Sequence, residues 1–280
     1  LEIVDNALGI QRDEKYIYIP LLVEPLGNEL DAFRRQVRSA EVTTYHFPET
    51  KKQAKTLVEF LENKLPPHLL ASLPRSMDIV GDIAIIEVPP ELRAHKKVIG
   101  QAILMVHKNV KTVLAKTGVV HGTYRTREFS LLAGEPKTET VHKEYGCQYN
   151  VDLAEAYFSP RLSYEHKRVA SLVHEGETVV DMFAGVGPFS VLIAKDHQNV
   201  RVYSIDANPF AVGFLKKNIR LNRVESKVNS ILGDAREVVD AKLSGKADRV
   251  IMNLPEKAIE FVDVACRTLK PAGGMVHFYC

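Results

Sequence analysis

A chain of 280 residues, 45% hydrophobic and 26% charged, has the balance of an ordinary soluble globular protein and suggests two domains rather than one. No stretch approaches a membrane span and no signal peptide opens the chain. Its three cysteines (Cys147, Cys266, Cys280) lie far apart without a CxxC pair, which argues against a disulfide framework or a zinc site and fits a reducing cytoplasm. A net charge of +2 is too weak by itself to announce a polyanionic partner.

In chain order, residues 1–48 read as a small unit containing the strand "KYIYIPL", and "FPETKKQAK" as a linker into a helix. Residues 49–149 read as a mixed α+β module. "MDIVGDIAIIEVP" suggests paired strands about a Val-Gly-Asp turn, "HKKVIGQAILMVHK" has helical periodicity, and "KTVLAK" is a short strand. "TETVHKEYGCQYNVDL" reads as a hairpin turning at Tyr145-Gly146. Between Glu91 and Phe129 the basic residues Arg93, Lys96, Lys97, Lys108, Lys111, Lys116, Arg125 and Arg127 are opposed only by Glu91 and Glu128. That local excess suits phosphates, although a solvated helix face would look the same.

Residues 150–280 alternate regularly. "TVVDMF", "RVYSIDA", "VNSILGD", "ADRVIMN" and "MVHFYC" are strands, separated by "PFSVLIAKDH", "PFAVGFLKKNIRLNR", "AREVVDAKL" and "EKAIEFVDVACRTL" as helices. Apolar strands separated by helices predict an α/β fold: a Rossmann-like, doubly wound parallel sheet, with ligands bound beyond the carboxyl ends of the strands. The first residue is Leu and the last lies inside an apparent strand, so the chain reads as a fragment trimmed at both ends.

The first of these strands runs into "DMFAGVGPFS", where Gly185 and Gly187 allow a tight turn and close approach to a ligand. Ser190 stands where the dinucleotide fingerprint needs its third glycine or alanine. Asp181 would repel a pyrophosphate but welcome the ammonium of an aminoacyl cofactor. Asp206 ends the second strand and could accept from both hydroxyls of a ribose, or cap the next helix with Pro209 in its first turn. Asp234, after the third strand, could accept from an adenine amine or cap a helix. Carboxylates and a glycine loop on successive strand ends point to S-adenosyl-L-methionine rather than NAD. In "RVIMNLPEKA" the local reading makes Asn253 a helix cap, with Pro255 in the first helical turn.

Four segments, "GTYRTREFSLLAGE", "VDLAEAYFSPRLSYEHKR", "VVDMFAGVGPFS" and "RVIMNLPEKA", resemble the archaeal and eukaryotic tRNA (guanine-N1)-methyltransferases that modify the purine just 3′ of the anticodon. The resemblance implies a class I methyltransferase domain, a middle module and a small N-terminal domain that reads tRNA shape. The partner is then tRNA, with no metal and no membrane, and a monomer is expected. It implies that Glu165 is a general base for the N1 proton, and that Arg125 donates to O6, where its fixed planar fork suits the task. The Asn253 amide offers a donor and an acceptor to the mixed edge of guanine, Pro255 stiffens that loop and Tyr157 lines the pocket. The expected cofactor-binding set is Tyr157, Phe158, Arg161, Asp181, Phe183, Gly185, Gly187, Asp206, Asp234, Asn253 and Pro255.

Each residue also has a plainer reading. Glu165 could pair with Lys167 or Arg168 on a helix surface, and Arg125 and Arg161 could contact phosphate or serve structure. Among rivals, exocyclic-amine methylation is disfavoured because Leu254 and Glu256 replace the expected proline and aromatic. A pyrimidine-C5 enzyme lacks a well-placed cysteine. The nearest alternative is transfer of an aminocarboxypropyl group from the same cofactor in wyosine formation, which the Asn-Leu-Pro turn disfavours. Methylation of a wyosine intermediate is compatible with the sequence, and a non-catalytic RNA-binding module is the rival of another class.

Overall fold

In the computed structural model the described residues are 3–5, 7–37, 39–48, 56–74, 76–118, 127–255 and 257–279. They form two compact units, residues 1–55 and 56–280.

In the first unit, β1 (Gln11–Arg12) pairs antiparallel with β2 (Ile17–Tyr18), and Val4 bridges Leu21. The expected strand "KYIYIPL" is thus reduced to a two-residue pairing and a bridge. Asp13 accepts from the Lys15 and Tyr16 amides and from the Tyr18 hydroxyl, a local turn that competes with the ladder. The Tyr18 and Tyr45 rings stack at 4.1 Å. Helix α1 (Gly27–Gln36), which the sequence reading does not separate from its surroundings, follows.

The second unit opens with α2 (Leu57–Leu61) and α3 (Pro67–Ala71). Strands β3 (Met77–Val80) and β4 (Ile83–Ile86) form the expected pair about Gly81-Asp82, and α4 (Lys96–Val106) crosses to β5 (Thr112–Lys116), parallel to β4. A further strand, β6 (Phe129–Gly134), closes the sheet in the order β3-β4-β5-β6. Leu61, Ile86, Leu92, Ile99 and Val113 are fully or almost fully buried in its core.

The hairpin appears as expected. β7 (Glu139–Glu144) meets β8 (Cys147–Asp152) through Tyr145 and Gly146, whose φ values of 46° and 75° are those a two-residue primed turn requires. After α5 (Ser163–Ser171) come β9 (Thr178–Asp181), α6 (Pro188–Asp196), β10 (Arg201–Asp206), α7 (Pro209–Leu221), β11 (Val228–Leu232), α8 (Ala235–Val238), β12 (Arg249–Met252), α9 (Val262–Thr268) and β13 (Met275–Phe278). The strands make one parallel sheet in the order β11-β10-β9-β12-β13. The predicted helix "AREVVDAKL" is α8 continued by a π-helical turn over Val239–Leu243. "EKAIEFVDVACRTL" begins as a 3-10 turn at Ala258 before becoming α9.

The hairpin around the sequence boundary at residue 149 is fastened to α7 by two buried asparagines. Asn218 accepts from the Asn150 amide at 2.7 Å and donates to the carbonyls of Asn150 and Val186, while Asn222 accepts from the Gln148 amide and donates to its carbonyl. Replacing Asn218 with Ala leaves the part-buried Asn150 amide and carbonyl and the buried Val186 carbonyl without this partner. We expect a loss of about 3 kcal/mol, read as a lower urea midpoint at unchanged slope.

Candidate functional site

From β9 the chain winds to β10 and β11 on one side, then returns to β12 and β13 on the other. The reversal falls between β9 and β12, and open parallel sheets bind their ligands beyond the carboxyl ends of the strands at such a reversal. Asp181, Asp206 and Asn253 stand at the ends of β9, β10 and β12.

The glycine loop bridges β9 and α6. Gly187 precedes α6 with φ 92°, and a Cβ there would collide with the Leu215 side chain, so packing beneath the loop requires a glycine. Gly185, at φ 55°, donates its amide to Asp206 Oδ2 at 2.7 Å and lies against the Tyr157 carbonyl. The loop is therefore tied both to the next strand end and to the segment before α5.

Asp206 Oδ1 accepts from the Asn208 amide at 2.8 Å. Each carboxylate oxygen thus holds one backbone donor and keeps acceptor capacity for a hydroxyl of a vicinal diol. Its pKa is raised, burial outweighing the two amides. Asp206 does not take the alternative role of helix cap. Asn208 caps α7, accepting from the Phe210 amide at 3.0 Å, because it stands directly before Pro209. Asp234 does cap its helix, accepting from the Arg236 amide at 2.8 Å, and it remains exposed.

Asp181 is fully buried. Its Oδ2 accepts from Ser190, which in turn accepts from Ser204, while Oδ1 has no partner among the described residues. Burial pushes its pKa up to about 7. Ser190, the departure from the dinucleotide fingerprint, is therefore the hydrogen-bond donor that holds this carboxylate. A buried carboxylate oxygen without a donor, a glycine loop and a second carboxylate open to a diol fit an aminoacyl nucleoside such as S-adenosylmethionine.

At the end of β12 the Leu254 carbonyl accepts from the amides of Lys257 and Ala258, and among the described residues no side chain caps the 3-10 turn that follows. The capping role expected of Asn253 is thus corrected. A full turn of loop separates it from the helical start, and Pro255 precedes that start rather than lying in the first helical turn. Asn253 is half-buried at the mouth of the strand.

Glu165 lies on α5, with a quarter or less of its side chain exposed. Arg168 grips it with Nε on Oε2 at 2.7 Å and Nη2 on Oε1 at 2.6 Å, and the Tyr279 hydroxyl donates to Oε1 at 2.5 Å. Arg168, and secondarily Tyr279, hold its pKa below the usual carboxylate value against partial burial. Tyr279 follows β13. Its amide donates to the Met252 carbonyl at 3.4 Å, and its ring packs on Phe189 of α6. Glu165 is thus linked through Tyr279 to the strand end that presents Asn253 and to the helix that follows the glycine loop. Arg125 lies outside the described residues.

The next residue on α5, His166, faces inward. Its Nδ1 is 2.7 Å from Glu144 Oε1, and its ring meets Phe189 edge-on at 4.6 Å. Burial alone would raise the Glu144 pKa, but the partners His142 and His166 outweigh it and hold the group at about 2. This buried contact anchors α5 to the hairpin.

The remaining candidates divide. Tyr157 is exposed and, with Lys116, Arg127 and Arg161, lines a cavity of about 220 Å³. Arg161 makes a two-pronged ion pair with Asp78 of β3, at 2.7 and 3.1 Å, which favours its structural reading. Phe158 packs on His142 and Tyr149 of the hairpin, and Phe183 meets Phe261 edge-on at 5.0 Å. Tyr279, Ser190 and Asn208 hydrogen-bond to the candidate carboxylates Glu165, Asp181 and Asp206 although they are absent from the set that the sequence suggests. Only Ser190, as the anomaly in the glycine motif, carries a local signal.

Residues 140–280 match the TRM5/TYW2 methyltransferase domain, and residues 57–138 match the TYW2 N-terminal domain. The chain is 42% identical over 276 residues to the tRNA (guanine(37)-N(1))-methyltransferase Trm5b of Pyrococcus abyssi, covering 99% of this chain and 77% of that one. The chain belongs to the TRM5/TYW2 methyltransferase family. It is also 39% identical over 227 residues to the tRNA 4-demethylwyosine(37)-methyltransferase Taw21 of Saccharolobus solfataricus, covering 80% and 82% of the two chains. Among solved members of the family, the complex of aTrm5 and tRNALeu superposes with a TM-score of 0.76 at 33% identity, over 99% of this chain and 80% of that one. The Methanocaldococcus jannaschii TYW2 complex with AdoMet superposes with a TM-score of 0.54 at 33% identity, over 72% and 75%.

Proposed function

We propose that this protein transfers a methyl group from S-adenosylmethionine to N1 of the guanosine at position 37 of tRNA. The observation that carries the reading is the convergence of Glu165, through Tyr279, on the strand end that presents Asn253 beside the glycine loop. The Pyrococcus relative, named for this activity and 42% identical, supports the substrate.

When bound, the cofactor supplies an electrophilic methyl group on a sulfonium leaving group. Asp206 would hold its ribose diol, Asp181 and the Gly185 loop would receive its aminoacyl arm, and Asp234 would accept from its adenine amine. Guanine N1 carries a proton at neutral pH, so its electron pair is not free for transfer. Glu165 accepts that proton as the N1–carbon bond forms. Arg125 donates to O6 as negative charge gathers there, and Asn253 orients the base through its donor and acceptor. Tyr157 borders the pocket. On the tRNA side, exposed Arg93 in the 3-10 turn before α4, with Lys96 and Lys97 at the start of that helix, presents positive charge suited to phosphates.

Methylation of a 4-demethylwyosine nucleoside is a second substrate reading, favoured by the 39% identity to the Saccharolobus relative named for it. The deciding experiment incubates the protein with methyl-labelled S-adenosylmethionine and tRNA transcripts bearing guanosine or adenosine at position 37, followed by nucleoside mass spectrometry. We expect N1-methylguanosine from the first transcript and no label in the second. Equal labelling of both would overturn the assignment, and an added aminocarboxypropyl group would replace it with the nearest rival.

A further inference from the structure

Glu165 is held by more groups than a proton acceptor needs. Its Oε1 receives two donors, Arg168 Nη2 at 2.6 Å and the Tyr279 hydroxyl at 2.5 Å, whereas Oε2 receives only Arg168 Nε at 2.7 Å. A carboxylate oxygen offers about two good acceptor directions, so Oε1 is saturated and Oε2 keeps a free lone pair. The clamp is built from two independent directions. Arg168 lies one turn along α5, and Tyr279 comes from beyond β13, fixed by its amide on Met252 and by its ring against Phe189.

We propose that Arg168 and Tyr279 are positioning residues for the transfer: they fix the Glu165 carboxylate in one orientation and leave Oε2 as the oxygen that takes the proton. The inference rests on Glu165 being the base. Among the described residues, the groups facing Glu165 are few. Arg168 comes from its own helix, and Tyr279 and His277 come from the β13 side. His166 is turned inward onto Glu144. Burial, reinforced by the Arg249 and Arg168 charges, holds His277 neutral down to about pH 4. Arg168 is therefore the cation that governs Glu165 at neutral pH.

The consequence is a pH range as well as a geometry. A base acts when ionised, so the rate falls as pH drops through its pKa, and a donor or cation that lowers that pKa extends the active range toward acid. In Arg168→Met the carboxylate loses both the charge and two hydrogen bonds, so the acid limb moves to higher pH. In Tyr279→Phe it loses one donor to Oε1, and the limb moves less. Arg168→Lys restores the charge without the two-pronged grip, so its limb returns toward that of the parent while its plateau rate stays below it.

The test measures single-turnover methyl transfer against pH for the full chain and these three variants. A carbon-detected NMR titration of the Glu165 carboxyl in the tRNA-free protein gives a readout independent of turnover. Expected are upward shifts of both the acid limb and the titration midpoint in Arg168→Met and Tyr279→Phe, with cofactor affinity unchanged. Unmoved limbs and midpoints, with Glu165→Gln inactive, overturn the positioning role and leave the base in place. Full activity of Glu165→Gln removes the base itself, and the inference with it.

Discussion

Replacing Glu165 with Gln is expected to slow single-turnover methyl transfer by about 10²- to 10⁴-fold, the usual contribution of a positioned base, while tRNA and cofactor affinities change little. Glutamine keeps the length and shape of the side chain but cannot carry the N1 proton away. Its amide nitrogen also cannot accept from Arg168, so one arm of the two-pronged contact is lost with the charge. Because Arg168 holds the Glu165 pKa below its ordinary value, the parent enzyme should show no loss of rate attributable to this group near neutral pH, and a decline only in acid. A Gln variant with the parental single-turnover rate would return Glu165 to an ordinary helix ion pair of the kind that contributes a few tenths of a kcal/mol.

Much of this architecture is legible in the amino-acid sequence alone. Within runs such as "RVIMN" the central Val250, Ile251 and Met252 are all apolar because β12 is covered on both faces, and the four residues Arg249–Met252 are all buried. Alternation of such runs with amphipathic helices leaves a parallel sheet as the natural solution. The Tyr145-Gly146 hairpin is readable for the same reason, since its signal is local. Signals spread over long separations are not. Glu165 and Tyr279 are 114 residues apart, and nothing near either one announces the other. The assignment of caps fails in an instructive way. Asp206 and Asn253 have the right residue type in nearly the right place, but Asn208 immediately before Pro209 takes one role, and a longer loop before Ala258 leaves the other unfilled. Residues 15–21, "KYIYIPL", read as a strand, yet the turn at Asp13 leaves only a two-residue pairing and a bridge.

The largest expected stability loss lies at the opposite end of β12 from Asn253. Arg249 is almost fully buried. It donates Nε and Nη2 to Glu177 at 2.8 and 3.0 Å, Nη2 to the Leu172 carbonyl at 2.6 Å, and Nη1 to His277 Nε2 at 2.8 Å. One guanidinium thereby ties the end of α5, the entry to β9 and β13 together, and with them the platform on which Glu165 and Tyr279 sit. Arg249→Met leaves a largely buried carboxylate, a carbonyl and an imidazole without their donor, and we expect it to cost about 3–5 kcal/mol in urea unfolding. The same network gives the fold its acid sensitivity. His277 has a native pKa of about 4, set first by burial and then by the Arg249 charge, against an ordinary value of 6.5. Between those values the unfolded chain binds a proton that the native chain refuses. Stability is therefore complete above pH 6.5 and falls as pH drops toward 4, by about 3 kcal/mol at this site. Glu144, held at about 2 against an ordinary 4.5, adds a second loss in the same direction at lower pH. In Arg249→Met the charge repelling a proton from His277 is gone, so His277 titrates nearer its ordinary value and the loss between pH 6.5 and 4 shrinks. A variant whose stability tracks the parent's at every pH, with the same midpoint, would show that the arginine is spectator rather than tie.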